Sequence, residues 1–83
     1  MRTLYLYSKS GCGACHDAKQ FLTNLEIPFI EVNVERDRAA LTKLYKDGLQ
    51  YVPQFYADDQ LLMRGGWKTV KTMRKHEILD RLK

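Results

Sequence analysis

Leu4-Tyr5-Leu6-Tyr7-Ser8-Lys9-Ser10-Gly11-Cys12-Gly13-Ala14-Cys15-His16 carries an unbroken bulky run into a glycine-flanked pair of cysteines, the only two in the chain. Continuous apolar residues are what a strand covered on both faces requires, so Thr3 to Tyr7 is predicted as a central strand. From Gly13 to Leu25 the pattern changes: Cys15, Ala18, Leu22 and Leu25, with Phe21 alongside, recur at the spacing of one helix face. The cysteines therefore sit where a strand hands over to a helix.

Beyond that helix, Pro28 opens a second strand in which Ile30, Val32 and Val34 alternate with Glu31 and Asn33. About a dozen helical residues between two strands imply a right-handed parallel crossover, so the first half reads as a βαβ unit. Asp37 to Asp47 places Leu41, Leu44 and Tyr45 on one helix face and is followed by Gly48, a good terminator. Val52 to Tyr56 and Leu61 to Arg64 flank the turn-prone link Ala57-Asp58-Asp59-Gln60, as in a hairpin. After Gly65-Gly66, Thr69 is placed to cap a last helix with Val70, Ile78, Leu79 and Leu82 as its stripe and Met73 at the edge. The predicted order is βαβαββα, an α/β fold with three helices.

Eighty-three residues suit one domain, here taken as 1–83, with a modest core. The 45% hydrophobic and 29% charged fractions argue against disorder. Lys9 interrupts the first apolar run, too early for a signal-peptide core or a membrane span, and a soluble cytoplasmic monomer is expected. In that reducing compartment a structural staple does not persist, so a close cysteine pair points to catalysis or metal binding. The net charge of +4 is lopsided: residues 64–83 hold seven Lys/Arg against two Asp/Glu. Cations near a helix C-terminus give the plain account of that excess, and a docking surface for an acidic partner the sharper one. No nucleic-acid motif or basic–aromatic interleaving is present, so no nucleic-acid partner is expected.

Only a thiolate attacks a disulfide, and a free cysteine with a pKa near 8.5 is mostly protonated at neutral pH. Cys12, at the mouth of the first helix, meets unpaired N–H groups and the positive dipole end, and Lys9 is close in sequence. Cys15, one turn inside, faces the core. Cys12 is thus assigned as the exposed nucleophile and Cys15 as the shielded thiol that resolves the mixed disulfide. A stabilised thiolate gains only a few-fold as attacker but departs readily as leaving group, which favours turnover. Two competing patterns are weaker. Cys12-Gly13-Ala14-Cys15-His16 matches a c-type haem attachment sequence, yet no export signal accompanies it. A zinc site of Cys12, Cys15, His16 and His76 has the right donor types without a second paired spacing.

Together, the strand, the C-x-x-C at a helix start, Val52-Pro53 entering a strand and Gly65-Gly66 before the last helix resemble the glutaredoxin family across essentially the whole chain. The resemblance implies a thioredoxin-like fold, a four-stranded mixed sheet flanked by three helices, with Pro53 in the cis form. It implies a thiol–disulfide oxidoreductase that reduces protein or glutathione mixed disulfides, with no cofactor bound permanently. It also implies roles: Cys12 attacking, Cys15 resolving, Lys9 on a glutathione carboxylate, Val52 pairing with the cysteinyl backbone, and Gly65 with Gly66 admitting the γ-glutamyl end.

Two departures stand out. Gly13-Ala14 replaces the Pro-Tyr usual between the cysteines, and Trp67-Lys68-Thr69 follows the glycine pair where an acidic residue is usual. The second departure, with Met1-Arg2 and His16, is similar to the glutaredoxin-like redoxins that feed ribonucleotide reductase and are reduced by thioredoxin reductase. That subgroup implies an exposed apolar patch including Trp67, whose other role is packing the last helix. Glutathione and thioredoxin reductase both stand as electron sources. A scaffold of the same fold, bridging a [2Fe–2S] cluster through Cys12 and glutathione without turnover, is the alternative function.

Overall fold

The computed structural model describes residues 1–83. Four strands, β1 (Leu4–Ser8), β2 (Ile30–Asn33), β3 (Gln54–Ala57) and β4 (Gln60–Leu61), form one sheet in the order β2-β1-β3-β4. β1 runs parallel to β2 and antiparallel to β3, and β3 runs antiparallel to β4, so the sheet is mixed. The helices are α1 (Gly13–Asn24), α2 (Arg38–Lys46), α3 (Trp67–Val70) and α4 (Lys75–Arg81).

Alternation along the two central strands divides the core. Leu4, Leu6, Phe55 and Ala57 face a cluster with Ala18 and Leu22 of α1, Val70 of α3 and Ile78 of α4. Tyr7 and Tyr56 face the other side, with Val34 and with Ala40 and Leu44 of α2. The predicted central position of the first strand holds, because β1 is bulky on both faces and both are covered. On the α2 side the Tyr7 and Tyr56 rings stack at 4.5 Å, and the Tyr56 hydroxyl donates to Asp47 Oδ2 at 2.6 Å. Burial first, then that bond to Asp47, pushes the Tyr56 phenol well above its ordinary range. Asp37 caps α2, its carboxylate accepting from Ala40 N–H at 3.1 Å. Removing that acceptor leaves an orphan donor in the first turn, so Asp37→Ala is expected to cost about 1 kcal/mol in a urea melt. An unchanged midpoint would show that the cap adds nothing.

Four expectations are corrected. The single last helix is two, giving βαβαββαα and four helices rather than three. Thr69 lies inside α3 instead of capping it, and the N-cap is Gly66. Here a side chain competes with the ladder: Thr72 Oγ1 donates to Thr69 O at 2.7 Å and the turn closes with Met73 N–H to Val70 O, while Thr69 Oγ1 turns back to Arg64 O, ahead of α3, at 2.9 Å. Arg74 is then extended, and the Glu77 carboxylate accepts its N–H at 2.8 Å to start α4. The hairpin turns on Asp58-Asp59 alone, with Asp58 at φ 53°, and β4 is two residues long. Ile30 and Tyr45 are exposed, 50% and 65%, because β2 is a sheet edge and the buried stripe of α2 is Ala40 and Leu44.

Candidate active site

At the end of β1 the chain turns through Gly11, at φ 69°, to place Cys12 as the N-cap of α1. The Cys15 backbone N–H donates to Cys12 Sγ at 3.1 Å, so this sulfur occupies the position a capping oxygen takes elsewhere. A negative charge there meets the first-turn amide and the positive helix end. Cys12 is partly exposed, whereas Cys15 is 2% exposed. Their Cα atoms are 5.2 Å apart and the two are joined as a disulfide. One cysteine is thus partly open to solvent and the other is buried.

Residues from β2 and the loop after it brace this turn. Ser10 N–H donates to Glu35 Oε1 at 3.0 Å, Asn33 Nδ2 donates to Ser10 Oγ at 3.3 Å, and Glu35 N–H donates to Asn33 Oδ1 at 2.9 Å. The bond from Ser10 holds the Glu35 carboxyl below its ordinary range. Beneath it, buried Ser8 Oγ donates to Glu31 Oε2 at 2.7 Å, and Lys19 Nζ of α1 pairs with the same carboxylate at 3.2 Å. Sequence reading missed these residues. The alternation of β2 marks Glu31 and Asn33 as its polar face, and only the parallel register, Leu6↔Glu31 and Ser8↔Asn33, puts them beside the cysteine turn.

The Ser8 bond first, then Lys19, lowers the Glu31 carboxyl below its ordinary value of 4.5. A depressed folded value stabilises the fold above the unfolded value, and the contribution is lost as pH falls through the folded one. The stability gap between wild type and Glu31→Gln is therefore expected to be constant above about pH 4.5 and to shrink below it. A gap that stays flat from about pH 7 to about pH 3 in urea titrations would contradict this.

The predicted residues converge in part. Lys9, Cys12 and Cys15 line one open polar groove of about 470 Å³, with His16, Lys19 and Glu31. Lys9 also lines an adjoining groove of about 290 Å³ with Val52, Leu41, Tyr45, Leu49 and Tyr51. The Val52–Pro53 peptide is cis. Gly66 abuts Pro53: at φ 53°, a Cβ added there would lie 2.7 Å from Pro53 O and 3.1 Å from Gln54 Oε1. Gly65 is not part of that contact, since its Cβ would meet Thr69 Oγ1 in the α3 turn. Trp67 is half-buried, its ring edge-on to Phe21 of α1 at 5.4 Å, so it ties α3 to α1 more than it forms a surface patch. No three His, Cys, Asp or Glu side chains converge as a group that could hold a metal ion. No helix is long and apolar enough to cross a membrane.

The contact at Gly66 makes a direct prediction. Gly66→Ala combines a left-handed backbone with a collision against the proline loop and is expected to cost about 2 kcal/mol or more. Gly13→Ala, with nothing within 4 Å of the new Cβ, is the control. Equal denaturant midpoints for the two variants would show that the close approach carries no cost.

Known structures share this architecture. A point mutant of the thioredoxin-like protein BC3987 is 23% identical, covers 96% of this chain and 97% of its own, and superposes with a TM-score of 0.72. Glutaredoxin C1 from Populus tremula x tremuloides, in its holo form, is 23% identical over 98% of this chain and 83% of its own, TM-score 0.72. A buckwheat glutaredoxin–glutathione complex is 22% identical over 98% and 76%, TM-score 0.71. At these identities the likeness establishes the thioredoxin-like fold. No match was found among the curated proteins. The family model described as Glutaredoxin matches residues 4–62, from the first strand through the hairpin and including both cysteines. With the match covering well over half of its length, the chain belongs to the glutaredoxin family.

Proposed function

We propose that this protein is a glutaredoxin-like thiol–disulfide oxidoreductase that reduces protein or glutathione mixed disulfides by cycling Cys12 and Cys15. The observation that carries the reading is the asymmetry of the pair: Cys12 is partly exposed, with its Sγ held by the Cys15 N–H at 3.1 Å, and Cys15 is buried. The Cys12 thiolate attacks one sulfur of the substrate disulfide, forms a mixed disulfide and releases the other sulfur as a thiolate, which takes up a proton. Cys15 then loses its proton and attacks Cys12 Sγ, releasing the second substrate sulfur and closing the Cys12–Cys15 bond. Two electrons have passed to the substrate. Two glutathione thiols, or a flavoprotein thioredoxin reductase, return them.

In this reading Lys9 meets a substrate carboxylate and the Val52 backbone pairs with the substrate's cysteinyl residue beside Pro53. Gly65, Gly66 and Trp67 border the far end of the bound segment. The contact of Gly66 with Pro53, and the presence of Lys9 in both grooves, support this arrangement. A reducing cytoplasm suits a pair that must be returned to the dithiol. Trp67-Lys68 after the glycine pair supports ribonucleotide reductase as one electron acceptor.

The test is NADPH consumption with a mixed-disulfide substrate, supplied through glutathione and glutathione reductase in one arm and thioredoxin reductase in the other. Turnover in either arm is expected and names the electron source. No turnover in both would refute the reading.

A further inference from the structure

From Arg64 to His76 the chain holds Arg64, Lys68, Lys71, Arg74 and Lys75 and no Asp or Glu. Arg64 stands apart, in a groove with Asp47 and Asp59. The other four are exposed, and the ion pairs of the protein, Lys19–Glu31 and Lys83–Asp80, involve none of them. A helix dipole suits Lys68 and Lys71, in the last turn and at the C-cap of α3, but not Arg74 and Lys75. Arg81 and Lys83 lie at the C-terminal end of α4, where cations are favoured, but the break in the predicted last helix puts Arg74 at its N-cap and Lys75 at its first position. Cations there face the positive end of the dipole, which is locally unfavourable, and Glu77 is the only carboxylate in that first turn.

The patch is joined to the cysteine-bearing helix through its first helix. Its first helix, α3, begins at Gly66, in contact with Pro53, and Trp67 packs on Phe21 of α1, the helix that Cys12 caps. Four unpaired cations spread from α3 into α4 exceed what the two carboxylates of a tripeptide can meet. The one aromatic of the segment is turned against Phe21, which leaves no free ring for stacking a nucleobase.

We propose that Lys68, Lys71, Arg74 and Lys75 dock an acidic segment of a disulfide-bearing protein, steering its sulfur to Cys12. This rests on the oxidoreductase reading for its purpose, and its test does not. Binding of a fluorescein-labelled, cysteine-free Asp/Glu peptide is measured by anisotropy, beside a Lys counterpart and single-stranded DNA of equal charge. The acidic peptide is expected to bind at least roughly tenfold more tightly than the Lys peptide, to weaken as salt rises, and to lose roughly tenfold in the triple variant Lys68→Gln, Lys71→Gln, Arg74→Gln. The corresponding Lys-to-Arg variant, Lys68→Arg with Lys71→Arg, should retain binding. Equal binding of the two peptides, no loss in the triple variant, or tighter binding of the DNA would overturn the proposal.

A second arm compares kcat/KM for acidic and neutral peptide mixed disulfides, whose ratio should exceed roughly ten and fall towards one in the triple variant. A ratio near one in the wild type would overturn docking while leaving the oxidoreductase reading intact. Failure to reduce any peptide would sink that reading, and the anisotropy arm would then decide the patch alone.

Discussion

Cys12→Ser is expected to lose disulfide reduction by roughly a thousandfold or more while melting within a few degrees of the wild type. The two halves of this result have separate causes. A serine hydroxyl does not ionise near neutral pH and forms no disulfide, so neither the attack nor the mixed-disulfide intermediate is available. As an N-cap, however, serine is among the best residues, and its oxygen can accept the Cys15 N–H that Cys12 Sγ now accepts. Loss of rate without loss of fold separates chemistry from scaffolding. Cys15→Ser should differ in kind: the first attack proceeds, the resolving thiol is absent, and a covalent adduct of enzyme with half the substrate accumulates in an intact-mass spectrum. Turnover by Cys12→Ser within roughly tenfold of the wild type would remove Cys12 from the reaction.

The largest stability effect should come from Phe55→Ala, about 3–5 kcal/mol. Phe55 is 1% exposed and sits on β3 opposite Leu6, where the two central strands face α1, α3 and α4. Truncation loses the transfer energy of the ring and leaves a cavity between packed elements that relax only partly. A small α/β domain has a total stability of about 5–15 kcal/mol, so a large share of the margin would go. The same change at exposed Tyr51, 76% accessible, should move a urea midpoint little. If the two variants unfolded at the same urea concentration, Phe55 would not be a core residue in any energetic sense.

Local pattern made much of this protein legible. Bulky residues on both faces of β1 demanded a covered central strand, the 3.6-residue spacing after Gly13 demanded a helix, and their junction put Cys12 at a helix start and Cys15 inside it. The periodic run from Asp37 to Asp47 and the Gly48 that ends it marked α2 in the same way. Each of these depends on residues within a turn or two of one another.

What the sequence could not reveal involves partners far along the chain. The exposure of Ile30 follows from β2 lying at the sheet edge, and the placing of Glu31 and Asn33 beside the cysteine turn from a parallel register. The approach of Gly66 to Pro53 joins segments with a hairpin between them. The last helix divides where the Thr72 hydroxyl takes the Thr69 carbonyl, a bond that a periodic stripe of Val70, Ile78 and Leu82 leaves out of account. Sequence alone determined which residues could form the redox pair and its helix. Tertiary structure decided which polar groups brace that pair and where the unpaired cations stand, because strand register and side-chain competition are settled only when distant backbone groups must all find partners together.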